Sequence, residues 1–276
     1  MYRFLLKPRW IASHVFVLAV LVTFVSLGFW QLNRLDERRD ENATITARFD
    51  EPPVPATDVP LDETDEDLEF RIVEATGTYD RSGEVLIRNR SRGGAPGYWV
   101  LTPLILEDGT ALAVNRGWIP LGFDPDQPRP DVDPPTGTVT AVGFLRTSVE
   151  PGRLAQADPA EGALSSLARP DLARLDQQID ADVRMLYLQI ESQSPVQTGE
   201  LPFVLERPEL NEGPHLSYAG QWLIFTLIGL IGYPLAVRRI ARSRARAESG
   251  EQDISDPLDW ELAELNRSVQ DRGGPA

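Results

Sequence analysis

The sequence predicts a membrane protein in which two transmembrane α-helices flank an extracytoplasmic, mainly antiparallel β (α+β) domain, either an open sheet or a partly open barrel. Three observations predict it. An apolar run near each end is long enough to cross a bilayer, which takes about 20 residues. Between the two runs the hydrophobic period becomes alternating. Gly, Pro and Asp punctuate the alternating segments at short intervals, as hairpin connections require.

Residues 1–10 carry Arg3, Lys7 and Arg9 and precede the first span, residues 11–33. The span is too long for the apolar part of a cleaved signal peptide, and no small-x-small cleavage site precedes the charged turn that follows it. It reads as an uncleaved anchor. Residues 34–69 form a charged stalk and an acidic, Pro-rich linker. Leu35–Phe49 keeps the helical register of the span, whereas the stretch Asp50–Asp67 mixes prolines with carboxylates and has little apolar surface to offset ordering entropy, so an extended or flexible linker is expected there.

The extracytoplasmic domain is expected over residues 70–214. Strands are predicted at Phe70–Tyr79, Glu84–Asn89, Tyr98–Leu106, Ala111–Asn115, Gly137–Arg146 and Val183–Ile190. Glu107-Asp108-Gly109-Thr110 is a hairpin turn, because Asp-Gly supplies the positive backbone angles of a tight connection. Gly117-Trp118-Ile119-Pro120 suggests a tight exit from the sheet after Asn115. One helix is predicted at Asp171–Ile179, with Pro170 before it and Asp171 as its cap.

The second span covers residues 215–237 and is followed by Arg238, Arg239, Arg242, Arg244 and Arg246. This cationic burst places the following tail, residues 238–276, in the cytoplasm by the positive-inside rule. Two spans put the N-terminus there too, in the plasma membrane of a bacterial cell. The tail beyond Ala247 is acidic, with one short amphipathic patch at Leu258–Leu265.

Composition excludes several classes of function. A net charge of −15 and a pI near 4.6 exclude nucleic-acid partners, which require a basic surface. The absence of cysteine excludes disulfides and thiolate metal sites. No Ser-His-Asp order with a nucleophile elbow, no HExxH and no phosphate loop is present, so the chain is not read as an enzyme.

Candidate binding residues gather at the spans. His215, Tyr218 and Trp222 fall at i, i+3 and i+7 and share one helix face, with Gln221 beside it. Imidazole ligates haem iron, and a histidine at a membrane surface is placed to do so; the same residue can equally hydrogen-bond a neighbour. Trp30, Tyr218 and Trp222 suit porphyrin stacking and also suit interfacial anchoring. Gln31 and Gln221 are expected to hydrogen-bond each other across the helices, because unpaired amides are costly in lipid. Arg116 could clamp a carboxylate in bidentate fashion or close an internal salt bridge. His14, 16 residues before Trp30, lies roughly 24 Å from it along the helix and cannot share a haem with His215.

Three motifs occur in order: Leu27-Gly28-Phe29-Trp30-Gln31-Leu32-Asn33-Arg34-Leu35, Val114-Asn115-Arg116-Gly117-Trp118-Ile119-Pro120, and His215-Leu216-Ser217-Tyr218-Ala219-Gly220-Gln221-Trp222. In this topology they resemble the SURF1 family of assembly factors for haem-copper cytochrome c oxidase, over roughly Leu27 to Val237. The resemblance implies a membrane chaperone of the respiratory chain that assists delivery of haem a to oxidase subunit I. It implies subunit I, haem A synthase and membrane lipid as partners. It raises His215 as the haem-iron ligand, with Tyr218, Trp222, Trp30 and Arg116 as cofactor-binding residues. The alternative is a membrane-anchored scaffold that docks oxidase subunits and never binds haem. The acidic linker and the tail fall outside the family pattern.

Overall fold

The computed structural model describes residues 3–60, 66–122, 132–149, 158–249 and 264. It divides into a helical unit, residues 1–39 with 212–276, and a sheet unit, residues 40–211.

The helical unit is built on two helices. Helix α1 runs Pro8–Asp50, so the helical register of Leu35–Phe49 does continue that of the span. The last helix, His215–Ser249, extends past the expected end at Val237 because Ala and Arg sustain it through its basic last turns. Both are long and apolar enough to cross a membrane, with mean hydropathies of 2.2 and 1.6 over their most apolar stretches. Phe16, Phe29, Leu223 and Ile228 point outward from the unit, as lipid-facing side chains do. The hydroxyls of Thr23, Ser26 and Thr226 bond the carbonyl four residues earlier, so these polar groups are satisfied within their own helices.

The sheet unit holds eight strands among the described residues: β1 Val54–Pro55, β2 Ile72–Tyr79, β3 Val85–Arg92, β4 Ala95–Leu106, β5 Ala111–Pro120, β6 Thr138–Thr147, β7 Ser166–Leu167 and β8 Leu186–Ser194. Helix α2, Leu172–Asp176, lies between β7 and β8, which makes the long C-terminal helix α3. The strand order is β1-β2-β6-β8-β5-β4-β3-β7. The sheet curls so that Gly77–Tyr79 of β2 also meets Leu104–Leu106 of β4, yet it is not a closed barrel: β1 and β7 remain its edges. Most pairings are antiparallel, with short parallel pairs at β1–β2, β3–β7 and β5–β8.

All six predicted strands are present, and the differences have local causes. Part of the expected linker is ordered: Val54 and Pro55 pair with β2, and Ala56 is buried in the main core. Strand β5 continues past Asn115 to Pro120, because Gly117 absorbs a bulge opposite Val100 and Leu101 instead of ending the strand. Gly117 takes φ +135°, and a Cβ there would meet the Phe203 carbonyl oxygen at 2.3 Å. Helix α2 is shorter than expected, although Asp171 caps it by accepting from Arg174 N at 3.0 Å. The patch Leu258–Leu265 lies outside the described residues, Glu264 apart.

Three apolar clusters pack on the sheet among the described residues, the smallest of them Leu86, Val100, Ile119 and Val132. Val73, Leu104, Leu112, Val114, Leu145 and Leu188 belong to the largest, and Ile87, Leu101, Leu167, Leu172 and Leu175 to a second beneath α2. At the β4–β5 turn, Gly109 takes φ +82° and Leu106 N bonds Thr110 O at 2.8 Å, the hairpin that Asp-Gly predicts.

Two expectations follow. Gly117→Ala should destabilise the chain by about 1–3 kcal/mol in denaturant unfolding, since backbone strain and a clash arise together. The turn also sets an acid sensitivity. Hydrogen bonds from the Thr110 hydroxyl and backbone, then Arg184, hold Asp108 below its ordinary value of 3.8. The stability it contributes is present above that value and is lost as pH falls through the lower folded one. Asp108→Asn should therefore narrow its stability gap to the parent chain as pH drops below 3.8.

Candidate functional site

Helices α1 and α3 run antiparallel within the helical unit and touch through two polar contacts with apolar packing between them. At one contact His215 Nδ1 meets Gln31 Oε1 at 2.9 Å. At the other, the Tyr233 hydroxyl lies 2.6 Å from His14 Nδ1 and 3.1 Å from Ser13 Oγ. Between them Trp222 packs on Phe24, with ring centroids 5.5 Å apart, and Gly28 lets the Trp222 Cβ approach.

Gln31 therefore bonds His215, and the expected Gln31–Gln221 pair does not form; Gln221 is exposed. The reason is the helix face: Gln221 sits six residues after His215, about 120° away from the side that meets α1. With the amide oxygen facing the ring, Nδ1 donates and the Nε2 lone pair is left available. This is the arrangement by which an outer partner fixes the tautomer of a ligating histidine.

The remaining predicted residues divide. Trp222 is half-buried and its indole Nε1 is buried with no hydrogen-bond partner. Trp30 and Tyr218 are 53% and 46% exposed. Both fall on the opposite flank of the helix pair from an apolar groove of about 500 Å³, which Phe24, Gly28, Phe29, Leu216, Ala219 and Leu223 line. Sequence reading missed that groove. Its signal was the small residues Gly28, Ala219 and Gly220, which keep side chains from filling the space.

Arg116 belongs to the sheet unit and is 3% exposed. Its Nη1 donates to Glu84 at 3.1 Å, and its Nη2 to Val132 O at 2.6 Å and Gln197 Oε1 at 2.8 Å. Nε is buried without a partner. Burial lowers the Arg116 pKa, while the Glu84 carboxylate beside it acts to raise it again. The same burial pushes the Tyr79 phenol up, against the pull of the Arg116 guanidinium over its ring. The Tyr79 hydroxyl donates to Gln193 at 2.9 Å. Chemically this is an internal ion pair inside a polar network, at the edge of a cleft of about 420 Å³ between β8 and the segment that follows it.

Two mutations probe these arrangements. Gln31→Leu should weaken packing of the two helices by about 0.6–2 kcal/mol, read by crosslinking or steric trapping, whereas Gln221→Leu should change it little. Arg116→Ala should cost about 3–5 kcal/mol, because the largely buried Glu84 carboxylate then loses the cation that faces it. Replacing Arg116 and Glu84 together with Met should restore much of that loss.

A family model described as the SURF1 family matches residues 18–227. An uncharacterised SURF1-like protein of Mycobacterium tuberculosis is 32% identical over 260 residues, covering 92% of this chain and 93% of the relative. A SURF1-like protein of Caenorhabditis elegans is 26% identical over 248 residues, 81% of this chain and 73% of the relative. The Saccharomyces cerevisiae cytochrome oxidase assembly protein SHY1 is 32% identical over 94 residues, 34% of this chain and 24% of its own.

Proposed function

Because this chain belongs to the SURF1 family, we propose that it is a non-enzymatic assembly factor for cytochrome c oxidase that carries haem a toward oxidase subunit I. Membership and the name of the yeast relative support the assembly role. The observation that carries the haem reading is the Gln31–His215 bond, which holds one imidazole at the helix pair with Nε2 available.

The donor set fits a transiently held haem. Haem bound there would supply an iron centre able to accept one imidazole and exchange a second ligand. His215 is the ligand we assign, oriented by Gln31, with Trp222 beside it. The apolar groove offers a surface for a macrocycle or its hydrocarbon tail. A single protein ligand suits a carrier, since one bond is exchanged more readily than two. His14 is occupied with Tyr233 at the other polar contact and takes no part.

The membrane arrangement belongs to the same proposal. Both termini are assigned to the cytoplasm of a bacterium and the sheet unit to the outer face, by the arginines that follow the second span. Since the chain has no cysteine, single-cysteine labelling reads this cleanly. A membrane-impermeant thiol reagent should label Glu107→Cys in intact cells and Ser243→Cys only after permeabilisation. The reverse pattern would sink the orientation.

The haem reading has its own test. His215→Ala should abolish haem co-purification at unchanged protein abundance, and His14→Ala should leave it unaltered, both read by absorption spectroscopy. Full haem occupancy in His215→Ala would replace the carrier by a scaffold that docks oxidase subunits.

A further inference from the structure

Strands β3 and β4 run from Val85 to Leu106 without one carboxylate, in a chain with 42 acidic residues against 27 basic. They carry Arg88, Arg90 and Arg92. Arg88 is bonded to Asp158, but the other two rest on aromatic rings. The Arg90 guanidinium lies 4.3 Å from the Trp99 ring centroid and that of Arg92 lies 4.6 Å from the Phe203 centroid. Phe203 stacks on Trp118 at 6.2 Å, and the Trp118 indole donates to Arg90 O at 3.2 Å. Arginines and rings thus form one continuous patch.

Among the described residues no ion pair reaches Arg90 or Arg92, and Arg90 Nε is buried with no hydrogen-bond partner. Burial lowers the Arg90 pKa, Tyr187 acts to raise it again, and the nearby Arg169 guanidinium adds to the lowering. Position matters as much as charge. Arg90 and Arg92 stand opposite Gly97 and Ala95, and the space that a side chain at Gly97 would take is filled by the Trp118 indole, 2.6 Å from where its Cβ would lie, which sets that ring beside Arg90. Two residues apart on a strand, they share a face at a spacing of roughly 6–7 Å. Pairing of β3 with β7 ends at Ile87, and beyond it no strand among the described residues lies along the outer edge of β3.

We infer that this arginine and aromatic patch docks an extended acidic segment of a partner protein, whose alternate carboxylates meet Arg90 and Arg92. Each guanidinium carries a planar fork of N–H donors, and such a fork takes a carboxylate through two bonds. An extended chain repeats its side chains at the spacing of the two arginines. Arg and Trp are also the residue types that dominate binding energy at protein interfaces. The inference stands independently of haem.

The test uses the full chain in detergent micelles and a fluorescein-labelled peptide of alternating Glu and Thr, titrated by anisotropy. Binding should weaken steeply with added salt. Arg92→Gln, at an exposed position, should weaken it roughly tenfold, and Arg92→Lys by less, because charge without the fork keeps only part of the contact. Arg90→Gln should act in the same direction, and an unchanged melting temperature in Arg92→Gln separates docking from folding. Equal binding of a Gln and Thr peptide, full affinity in Arg92→Gln, or no binding of the Glu peptide would overturn the inference.

Discussion

A guanidinium taken out of water must be given equivalent partners, and Arg116 collects them from four separate parts of the sheet unit. Glu84 comes from the residue before β3, the Val132 carbonyl from the approach to β6, Gln197 from beyond β8 and the Tyr79 ring from β2. Glu84 is held in turn by the Thr102 hydroxyl on β4, and Gln197 donates to Asp133 O. Arg116 is thus the common partner of segments that the Gln197–Asp133 bond and the Arg81–Asp133 ion pair also join. The residues on either side extend its reach. Asn115 bonds Gln189 and thereby ties β5 to β8, while Gly117 bends the strand so that Trp118 exchanges backbone bonds with Phe203. One motif thus sets the strand pairing, the bulge and the course of the segment after β8.

The helical unit obeys the same rule in a drier setting. Its apolar contacts give two helices little reason to choose one register, because apolar side chains pack comparably at several alignments. Two polar contacts supply the choice. Gln31 with His215 and His14 with Tyr233 match only when the helices are antiparallel and in this alignment. The placement of Trp222 against Phe24 and Gly28 follows from that alignment. Both histidines of the chain therefore have a structural duty, and the carrier role assigned to His215 uses the ring nitrogen that this duty leaves over.

Much of this was legible from local chemistry. The two long apolar helices followed from the length of their apolar runs, the strands from alternation, the β4–β5 hairpin from Asp108-Gly109, and the cap of α2 from Asp171. Features set by distant partners were not. Val54–Pro55 joins the sheet because β2 offers an edge there, something no property of a Pro-rich acidic stretch announces. Gly117 signals a break in sequence, yet the strand survives because β4 accommodates the bulge. At the candidate site, the residue types were readable and their pairing was not. Gln31 could meet any polar group at its level, and only the rotation of α3 decides for His215 over Gln221.

The place of β8 in the sheet carries a kinetic consequence. It lies between β6 and β5, near the middle of the strand order, although it is the last strand of the unit in sequence. Until Leu186–Ser194 is available, the sheet exists as two parts, β1-β2-β6 and β5-β4-β3-β7, linked by the short contact between β2 and β4. Each part then exposes an open inner edge, β6 with Val139, Val142 and Leu145 and β5 with Leu112, Val114 and Ile119. Pairing over so long a stretch of chain is slow to form, because loop entropy must be overcome before the contacts are gained. The nascent domain thus passes through an interval in which it is vulnerable to aggregation and proteolysis, and that interval closes when its final strand is inserted.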